Sequence, residues 1–253
     1  MDNVMLPTYD DIVRSSSGKR VPLSKRRPPT SLCMFNAPPF SISEGEFNYF
    51  YNFILRNNLK LGFEVATAFG ISSLAAGLAF RETGGAMVTI DAYIEEAYGS
   101  PDAYLGKQEV HENSAGLYTA KWLHEQYGVD KTVHLQVGWS PDDVSKCIKN
   151  AFGNEAIKFD WVFSDGAHTD EAVIADFEAI KHLINMKRFA YFIHDIAGKR
   201  KNSRCIKHIR QALNIVPAFT SSNKYSNRVH VPQTWGIAIF TNIPGEGLEA
   251  VEK

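Results

Sequence analysis

The chain has 253 residues, with 27 lysines and arginines against 28 aspartates and glutamates, and a formal net charge of −1. With 44% hydrophobic and 22% charged residues, its composition excludes disordered, fibrous and membrane-spanning classes, and its length fits one large α/β domain with attachments. Three widely spaced cysteines without a C-x-x-C pair predict neither a disulfide framework nor a cysteine zinc site. An acidic N-terminus without an apolar run predicts a cytoplasmic protein with no membrane partner.

Charge is distributed unevenly along the chain. Residues 40–195 carry twelve basic and 22 acidic side chains, whereas residues 196–245 carry eight basic and no acidic ones. An acid-free stretch of this length either complements the acidic middle of the chain or faces an acidic small molecule. The near-neutral total excludes a generally basic nucleic-acid-binding protein.

The N-terminal region, residues 1–42, is predicted to be an extended arm, because six of the eleven prolines lie in its first 39 residues. We expect such an arm to pack against the body of the protein or against a partner. If the partner is a second copy of the chain, the arm would form a homo-oligomer. A capping box, Ser43-x-x-Glu46, then begins an amphipathic helix that opens a domain of residues 43–245. Residues 246–253 form a C-terminal tail.

From Leu61 onward, short apolar runs alternate with helical segments, a pattern typical of a parallel sheet with helices on its faces. The strand-length runs are 61–66, 86–91, 132–137, 159–165, 189–195 and 235–240. The predicted helices are 72–80, 117–127, a segment that follows 140–143, 169–184 and 203–213. Ser140 is predicted to cap its helix, with Pro141 in the first turn. The predicted core stripe of the fourth of these helices is Val173, Phe177, Ile180 and Ile184.

The connection after the second strand, residues 92–116, is long, acidic and rich in tyrosine. Long insertions at strand ends are often functional lids, and the other interpretation is a surface loop without a role in function. A lid would bring Tyr93 to the substrate.

Small residues follow the first strand, at the end where ligands bind in open α/β sheets. Ala66, Ala68 and Gly70 let a ligand approach the backbone, and Ser72 is predicted to cap the next helix, whose N-terminus favours a carboxylate. The second strand ends in Asp91, where an acid can accept hydrogen bonds from a ribose diol. Because the glycines of a dinucleotide fingerprint are missing, NAD is disfavoured.

In combination, Glu64, the turn Gly70-Ile71-Ser72 and Asp91 resemble the first two motifs of class I S-adenosylmethionine-dependent methyltransferases. The resemblance implies S-adenosylmethionine as cofactor and a Rossmann-like methyltransferase fold, with a mostly parallel seven-stranded sheet and helices on both faces. Trp139 would then flank the adenine, either stacked on it or packed in the core. The residues assigned to the cofactor are Glu64, Ala66, Thr67, Ala68, Gly70, Ser72, Asp91, Gly138, Trp139, Ser140, Asp165 and Gly166.

Polar groups end the fourth and fifth predicted strands. Asp165 and His168 follow the fourth, and His194 and Asp195 follow the fifth. Because these strands are expected to be neighbours, the four side chains are predicted to converge. Two carboxylates and an imidazole suit Mg²⁺, Mn²⁺ or a non-haem iron.

The segments DGAHTDEAVIADFEAIKHLI and FAYFIHDI resemble the O-methyltransferase group that includes small-molecule, sugar and antibiotic-tailoring enzymes. The resemblance implies a divalent cation, Mg²⁺ or another, held by Asp165, His194 and Asp195. It implies His168 as the general base that takes the proton of a hydroxyl acceptor. His194 stands where the family usually has an acidic or amide residue, and Ala66 and Ala68 stand where it commonly has glycines.

The acid-free stretch begins just after Asp195, and Lys199, Arg200 and Arg204 are predicted to grip a phosphate, sulfate or carboxylate of the acceptor. They are equally compatible with a solvated surface. The prediction is therefore O-methylation of a small, anionic molecule.

Three other functions stay open. A binding protein with a degenerate methyltransferase fold is compatible with the alanines at 66 and 68. An RNA-directed methyltransferase would use the basic arm and the acid-free stretch, although no RNA-binding module is recognisable. A metal-dependent hydrolase or oxygenase would use the cluster at 165, 194 and 195 but would leave the segment from Glu64 to Asp91 without a role.

Overall fold

A computed structural model describes residue 42 and residues 44–92, 115–195, 203–219 and 237–244. Outside the described residues lie residues 1–41 of the predicted arm, residues 93–114 of the predicted 92–116 insertion and the C-terminal tail.

The centre of the fold is a seven-stranded sheet in the order β3-β2-β1-β4-β5-β7-β6. Five strands, β1 to β5, pair in parallel, and β7 runs antiparallel to both β5 and β6. The strands are β1 Leu61–Val65, β2 Ala86–Asp91, β3 Val133–Val137, β4 Trp161–Ser164, β5 Ala190–Ile193, β6 Ala218–Phe219 and β7 Ala238–Thr241. The prediction of a mostly parallel seven-stranded sheet is confirmed, although the apolar runs located only six of the strands.

Six α-helices connect or flank these strands within the described residues. They are α1 Glu44–Arg56, α2 Ile71–Thr83, α3 Ala115–Gln126, α4 Val144–Phe152, α5 Asp170–Ile180 and α6 Arg204–Leu213. Hydroxyl caps begin two of them: Thr169 accepts a hydrogen bond from the Ala172 N–H, and Ser203 accepts one from the Ile206 N–H. None of the described helices combines the length and the apolarity that crossing a bilayer requires.

Two predicted helix caps are wrong. Helix α2 begins at Ile71 with Gly70 as its cap residue, and Ser72 lies inside the helix. Helix α4 begins at Val144 rather than at Pro141, with Asp143 as its cap residue, and the Ser140 hydroxyl donates to the Asp176 carboxylate (2.5 Å). In both cases a hydroxyl near a helix start serves another part of the molecule.

The strands are buried on both faces, so alternate residues supply two separate cores. One face carries Trp161, Phe163 and Phe192, which pack against α1 and α2. The other face carries Val162 and Tyr191, which pack against α4, α5 and α6. The predicted stripe of the 169–184 segment is confirmed as buried, although its last turn is a 3₁₀ helix, Lys181–Leu183.

This topology fixes where a ligand can bind. The chain goes outward from β1 to β2 and β3, then returns to place β4 on the other side of β1. The crevice beyond the carboxyl ends of β1 and β4 is thus the switch point where open α/β sheets bind ligands.

Candidate active site

The turn that follows β1 has three residues with positive φ, namely Ala66 (71°), Ala68 (46°) and Gly70 (84°). Left-handed backbone costs an L-residue about 1–2 kcal/mol, so the two alanines adopt a conformation that suits glycine better. A Cβ on Gly70 would lie 2.8 Å from the Ala120 Cα and Cβ. The backbone therefore keeps a glycine-type turn although two of its glycines are absent.

Glu64 lies at the end of β1 and is fully buried. Its Oε2 accepts a hydrogen bond from the Thr89 hydroxyl, which lies 2.6 Å from the Thr67 hydroxyl. Burial raises the pKa of Glu64 to about 8, aided by the charges of Asp165 and Asp91 and opposed by the hydroxyls of Ser72 and Thr89. Glu64 is therefore mostly protonated at neutral pH, and the network below the turn carries no full charge.

Asp91 ends β2, and its Oδ2 accepts a hydrogen bond from the Ala68 N–H (2.7 Å). The β2 carboxylate is thereby fixed to the turn after β1. A carboxylate has about four acceptor sites, so this bond is compatible with additional hydrogen bonds from a ribose diol at the same group.

His124 of α3 contacts the first turn of α2, directly after the positive-φ turn. No feature of the sequence predicted this contact. The His124 Nε2 lies 2.9 Å from the Ser73 hydroxyl, and the side chain is fully buried. Burial lowers the pKa of His124 to about 4, against the smaller effects of Gly70 and Asp130. The residue is 51 positions from Ser73, and no local motif indicated it.

The loop after β3 carries Gly138, Trp139 and Ser140 beside Asp91, whose carbonyl accepts a hydrogen bond from the Gly138 N–H (2.9 Å). The half-buried Trp139 donates its backbone N–H to Asp143 (2.9 Å). Ser140 donates to Asp176, whose pKa burial raises to about 6. Two carboxylates to which the sequence analysis gave no role in the site, Asp143 and Asp176, therefore hold Trp139 and Ser140 in place.

The predicted convergence at β4 and β5 is confirmed. His194 Nδ1 lies 3.0 Å from Asp165 Oδ1 and 3.3 Å from Asp195 Oδ1, and Asp195 Oδ2 lies 3.2 Å from His168 Nε2. Parallel pairing of Ser164 with Ile193 places these strand ends side by side. His194 is buried, the two aspartates are about one-fifth exposed and His168 is 45% exposed, so the cluster opens toward solvent at His168.

A third carboxylate reaches this cluster from outside the sheet. Glu46 of α1 is buried, and its Oε1 lies 3.2 Å from His194 Nε2. The two nitrogens of one imidazole thus face acidic groups on opposite sides. Glu46 was predicted only as the acid of a capping box, and its partner lies 148 residues further along the chain.

Electrostatics favour a charged cluster. Burial alone would lower the pKa of His194, but Asp165, Glu46 and Asp195 outweigh it and raise this pKa well above its ordinary value. Burial alone would raise the pKa of Asp195, whereas its hydrogen bond with His194 and its electrostatic interactions with His194 and His168 lower it.

The donor set also fits a divalent cation. Asp165, His194 and Asp195 each offer one ligand atom, and these atoms lie within 4.8 Å of one another. Two carboxylate oxygens with one imidazole nitrogen match the preferences of Mn²⁺ and Fe²⁺, and with water ligands also those of Mg²⁺.

Of the four predicted substrate residues, the structure describes only Arg204. Tyr93, Lys199 and Arg200 lie outside the described residues. Arg204 is exposed at the start of α6, where its guanidinium forms an ion pair with Glu171. Gly166, assigned to the cofactor, follows Asp165, and a Cβ there would lie 3.3 Å from Asp176 Oδ2.

Comparison with known proteins gives a family for this chain and a set of similar folds. A family model described as a methyltransferase domain matches residues 63–196, just over half of the chain. No curated protein matches the sequence.

Solved structures share the fold at low sequence identity. The O-methyltransferase TomG of Streptomyces achromogenes, involved in tomaymycin synthesis and solved with SAM, is 15% identical with a TM-score of 0.57, covering 94% of this chain and 92% of that one. An O-methyltransferase of Bacillus cereus solved with SAH is 15% identical with a TM-score of 0.53, covering 94% and 93%. A methyltransferase of Geobacter sulfurreducens is 16% identical with a TM-score of 0.51, covering 93% and 91%. By its match to the family model, this chain belongs to the methyltransferase-domain family.

Proposed function

We propose that this protein transfers a methyl group from S-adenosylmethionine to a hydroxyl group of a small molecule. The observation that carries the proposal is the cluster of Asp165, His168, His194 and Asp195 at the switch point, beside the turn after β1. Two of the similar structures are O-methyltransferases solved with SAM or SAH, which supports the same assignment.

The cofactor would lie across the carboxyl ends of β1 and β2. The positive-φ turn from Ala66 to Gly70 lets the ligand approach the backbone. Asp91 would accept hydrogen bonds from the ribose hydroxyls, and Gly138, Trp139 and Ser140 would flank the adenine. Glu64, Thr67, Ser72 and Gly166 would support this region from below.

S-adenosylmethionine supplies an electrophilic methyl group on its sulfur. The bond from the acceptor oxygen to the methyl carbon forms as the sulfur–carbon bond breaks, and the hydroxyl proton must leave. His168 is the most exposed member of the cluster, and its Nε2 lies 3.2 Å from Asp195 Oδ2. With the hydrogen of the neutral ring on Nε2, facing this carboxylate, Nδ1 would be the atom that takes the proton, and Asp195 would stabilise the resulting imidazolium, as in other His–Asp pairs.

Asp165, His194 and Asp195 would hold a divalent cation, which lowers the pKa of a bound hydroxyl. Fixing the acceptor oxygen in line with the methyl group supplies much of the rate of such reactions. The acid-free stretch of residues 196–245 supports an acceptor that carries negative charge, with Tyr93, Lys199, Arg200 and Arg204 as its proposed contacts.

Two measurements test this function. Mass spectrometry of the purified protein should detect bound S-adenosylmethionine or its demethylated product. Incubation with S-adenosylmethionine and a panel of phenols, sugars and phosphorylated or carboxylated hydroxyl compounds should then give a product heavier by one methylene unit.

Different results would point to the other functions. Cofactor binding with no transfer to any member of the panel would favour a non-catalytic binding protein. Salt-dependent RNA binding with methylation of RNA alone would favour an RNA-directed enzyme. Failure to bind S-adenosylmethionine would contradict the proposal.

A further inference from the structure

Helix α1 delivers a buried carboxylate to the catalytic cluster, although it precedes the residues that match the family model. The Glu46 side chain is 7% exposed and the His194 side chain 1% exposed, with 3.2 Å between Oε1 and Nε2. A polar contact this deeply buried would be costly unless it were satisfied.

The helix is itself held firmly. Phe50 packs edge-on against Trp161 and Phe163, with ring centroids 5.5 and 4.9 Å apart, and Phe53 packs on Phe192 at 5.4 Å. All of these rings are buried. Because Glu46 lies two turns before Phe53, the same face of α1 carries both the packing residues and the carboxylate. The position of Glu46 is thus determined by the aromatic core.

Glu46 constrains His194 because an imidazole has only two nitrogens. A carboxylate oxygen accepts, so Nε2 must carry the hydrogen in this pair. Nδ1 faces Asp165 and Asp195, at 3.0 and 3.3 Å, so without a cation it also carries hydrogen, and this is the proton that a bound cation would displace. A metal-binding histidine commonly donates its other N–H to a carboxylate, which fixes both its tautomer and its orientation.

We propose that Glu46 is a positioning residue for the cation site: it holds His194 with Nε2–H toward α1 and Nδ1 toward the space between Asp165 and Asp195. This inference rests on the proposed function, in which those three residues hold a divalent cation. It adds the helix before the matched domain to the active site.

The test compares Mn²⁺ binding to the full chain, measured by electron paramagnetic resonance, for the wild type and three variants. Glu46→Met keeps the side-chain length and suits an apolar environment, but it cannot accept the hydrogen bond. Glu46→Gln keeps an acceptor oxygen. Phe53→Leu weakens the packing of the same helix without removing the carboxylate. With diamagnetic Zn²⁺ in place of Mn²⁺, ¹H–¹⁵N spectra of the histidine rings report whether His194 Nε2 carries a hydrogen that is protected from exchange with water.

The expected result is that Glu46→Met weakens Mn²⁺ binding by about 10–100-fold, as loss of an outer partner commonly does. Glu46→Gln should recover most of the affinity, and Phe53→Leu should bind as the wild type does. With Zn²⁺ bound, the spectra should show a protected Nε2–H in the wild type and in Glu46→Gln, with this protection lost in Glu46→Met.

Wild-type affinity in Glu46→Met would overturn the inference. An equal loss in Phe53→Leu would also overturn it, because the helix would then act only through packing. A wild-type protein that binds no Mn²⁺ would contradict the cation part of the proposed function and remove the basis of the inference. Failure of the inference and failure of the proposed function are therefore distinguishable. The first appears only when variants are compared, and the second appears in the wild type itself.

Discussion

The proposed active site has two regions that differ in their electrostatics. Side chains below the turn after β1 favour the neutral form, whereas those at the ends of β4 and β5 favour the charged form. Below the turn after β1, burial raises the pKa of Glu64 to about 8 and lowers that of His124 to about 4. Both groups are therefore mainly neutral near pH 7. At the ends of β4 and β5, the pKa of His194 is raised and that of Asp195 is lowered, so the charged forms are favoured.

This difference follows from what surrounds each group. Glu64 and His124 are buried beside hydroxyls, which satisfy hydrogen bonds but do not compensate a full charge. His194 is equally buried, yet three carboxylates surround it. The first region can shape a backbone cradle for a ligand, and the second can hold a cation and move a proton.

The largest expected effect is in the charged region. His168→Ala should lower single-turnover methylation of the acceptor found in the panel by about 10²–10⁴-fold, the usual contribution of a general base. Binding of S-adenosylmethionine should not change, because His168 lies with the β4–β5 cluster. Product mass spectrometry and calorimetry measure the two effects. Wild-type single-turnover methylation in this variant would remove the base assignment.

The turn after β1 is tested by a matched pair of glycine substitutions. Gly70→Ala and Gly84→Ala both place a Cβ on a residue with positive φ, but only the first meets other atoms, at 2.8 Å from Ala120. Both should lose about 1–2 kcal/mol of unfolding free energy through backbone strain. Gly70→Ala should lose more and should also weaken cofactor binding. Urea unfolding measures the difference, and equal losses would show that the turn can relax.

The pH dependence of stability tests the neutral state of Glu64. Its pKa is about 8 in the folded protein against an ordinary 4.5, so its stabilising contribution is present at acid pH and is lost as the pH rises through about 8. The midpoint of thermal unfolding should therefore fall less in Glu64→Gln than in the wild type between about pH 5 and pH 9. The exposed variant Glu82→Gln should behave as the wild type does. Parallel curves for wild type and Glu64→Gln would show that Glu64 is not buried in its protonated form.

The smallest effect is expected at the alanine that replaces a turn glycine. Ala68→Gly would relieve about 1–2 kcal/mol of left-handed strain but would add about 0.4–1 kcal/mol of unfolded-chain entropy. The net stabilisation should therefore be at most about 1.6 kcal/mol. A clear destabilisation in urea unfolding would contradict the strained geometry at this position.

The parallel strands could be predicted from sequence because burial on both faces makes them continuous apolar runs. β6 could not, since it is the two-residue segment Ala218–Phe219 and has no periodicity. The cluster at Asp165, His194 and Asp195 was predictable because neighbouring parallel strands bring their carboxyl ends together.

Other parts of the site depend on tertiary contacts that leave no local pattern. Glu46 is separated from His194 by 148 residues, and Ser140 is separated from Asp176 by 36. The caps predicted at Ser72 and Ser140 were wrong because a serine near a helix start indicates a possible hydrogen bond, while the fold decides its partner.

We propose that the turn after β1, with Asp91, holds the cofactor and that the cluster at the ends of β4 and β5 performs the chemistry. Isothermal titration of S-adenosylmethionine into the wild type, Asp91→Ala and His168→Ala tests it most directly. We predict one site in the wild type, loss of most affinity in Asp91→Ala and unchanged affinity in His168→Ala. No binding to the wild type, or wild-type affinity in Asp91→Ala, would contradict the account.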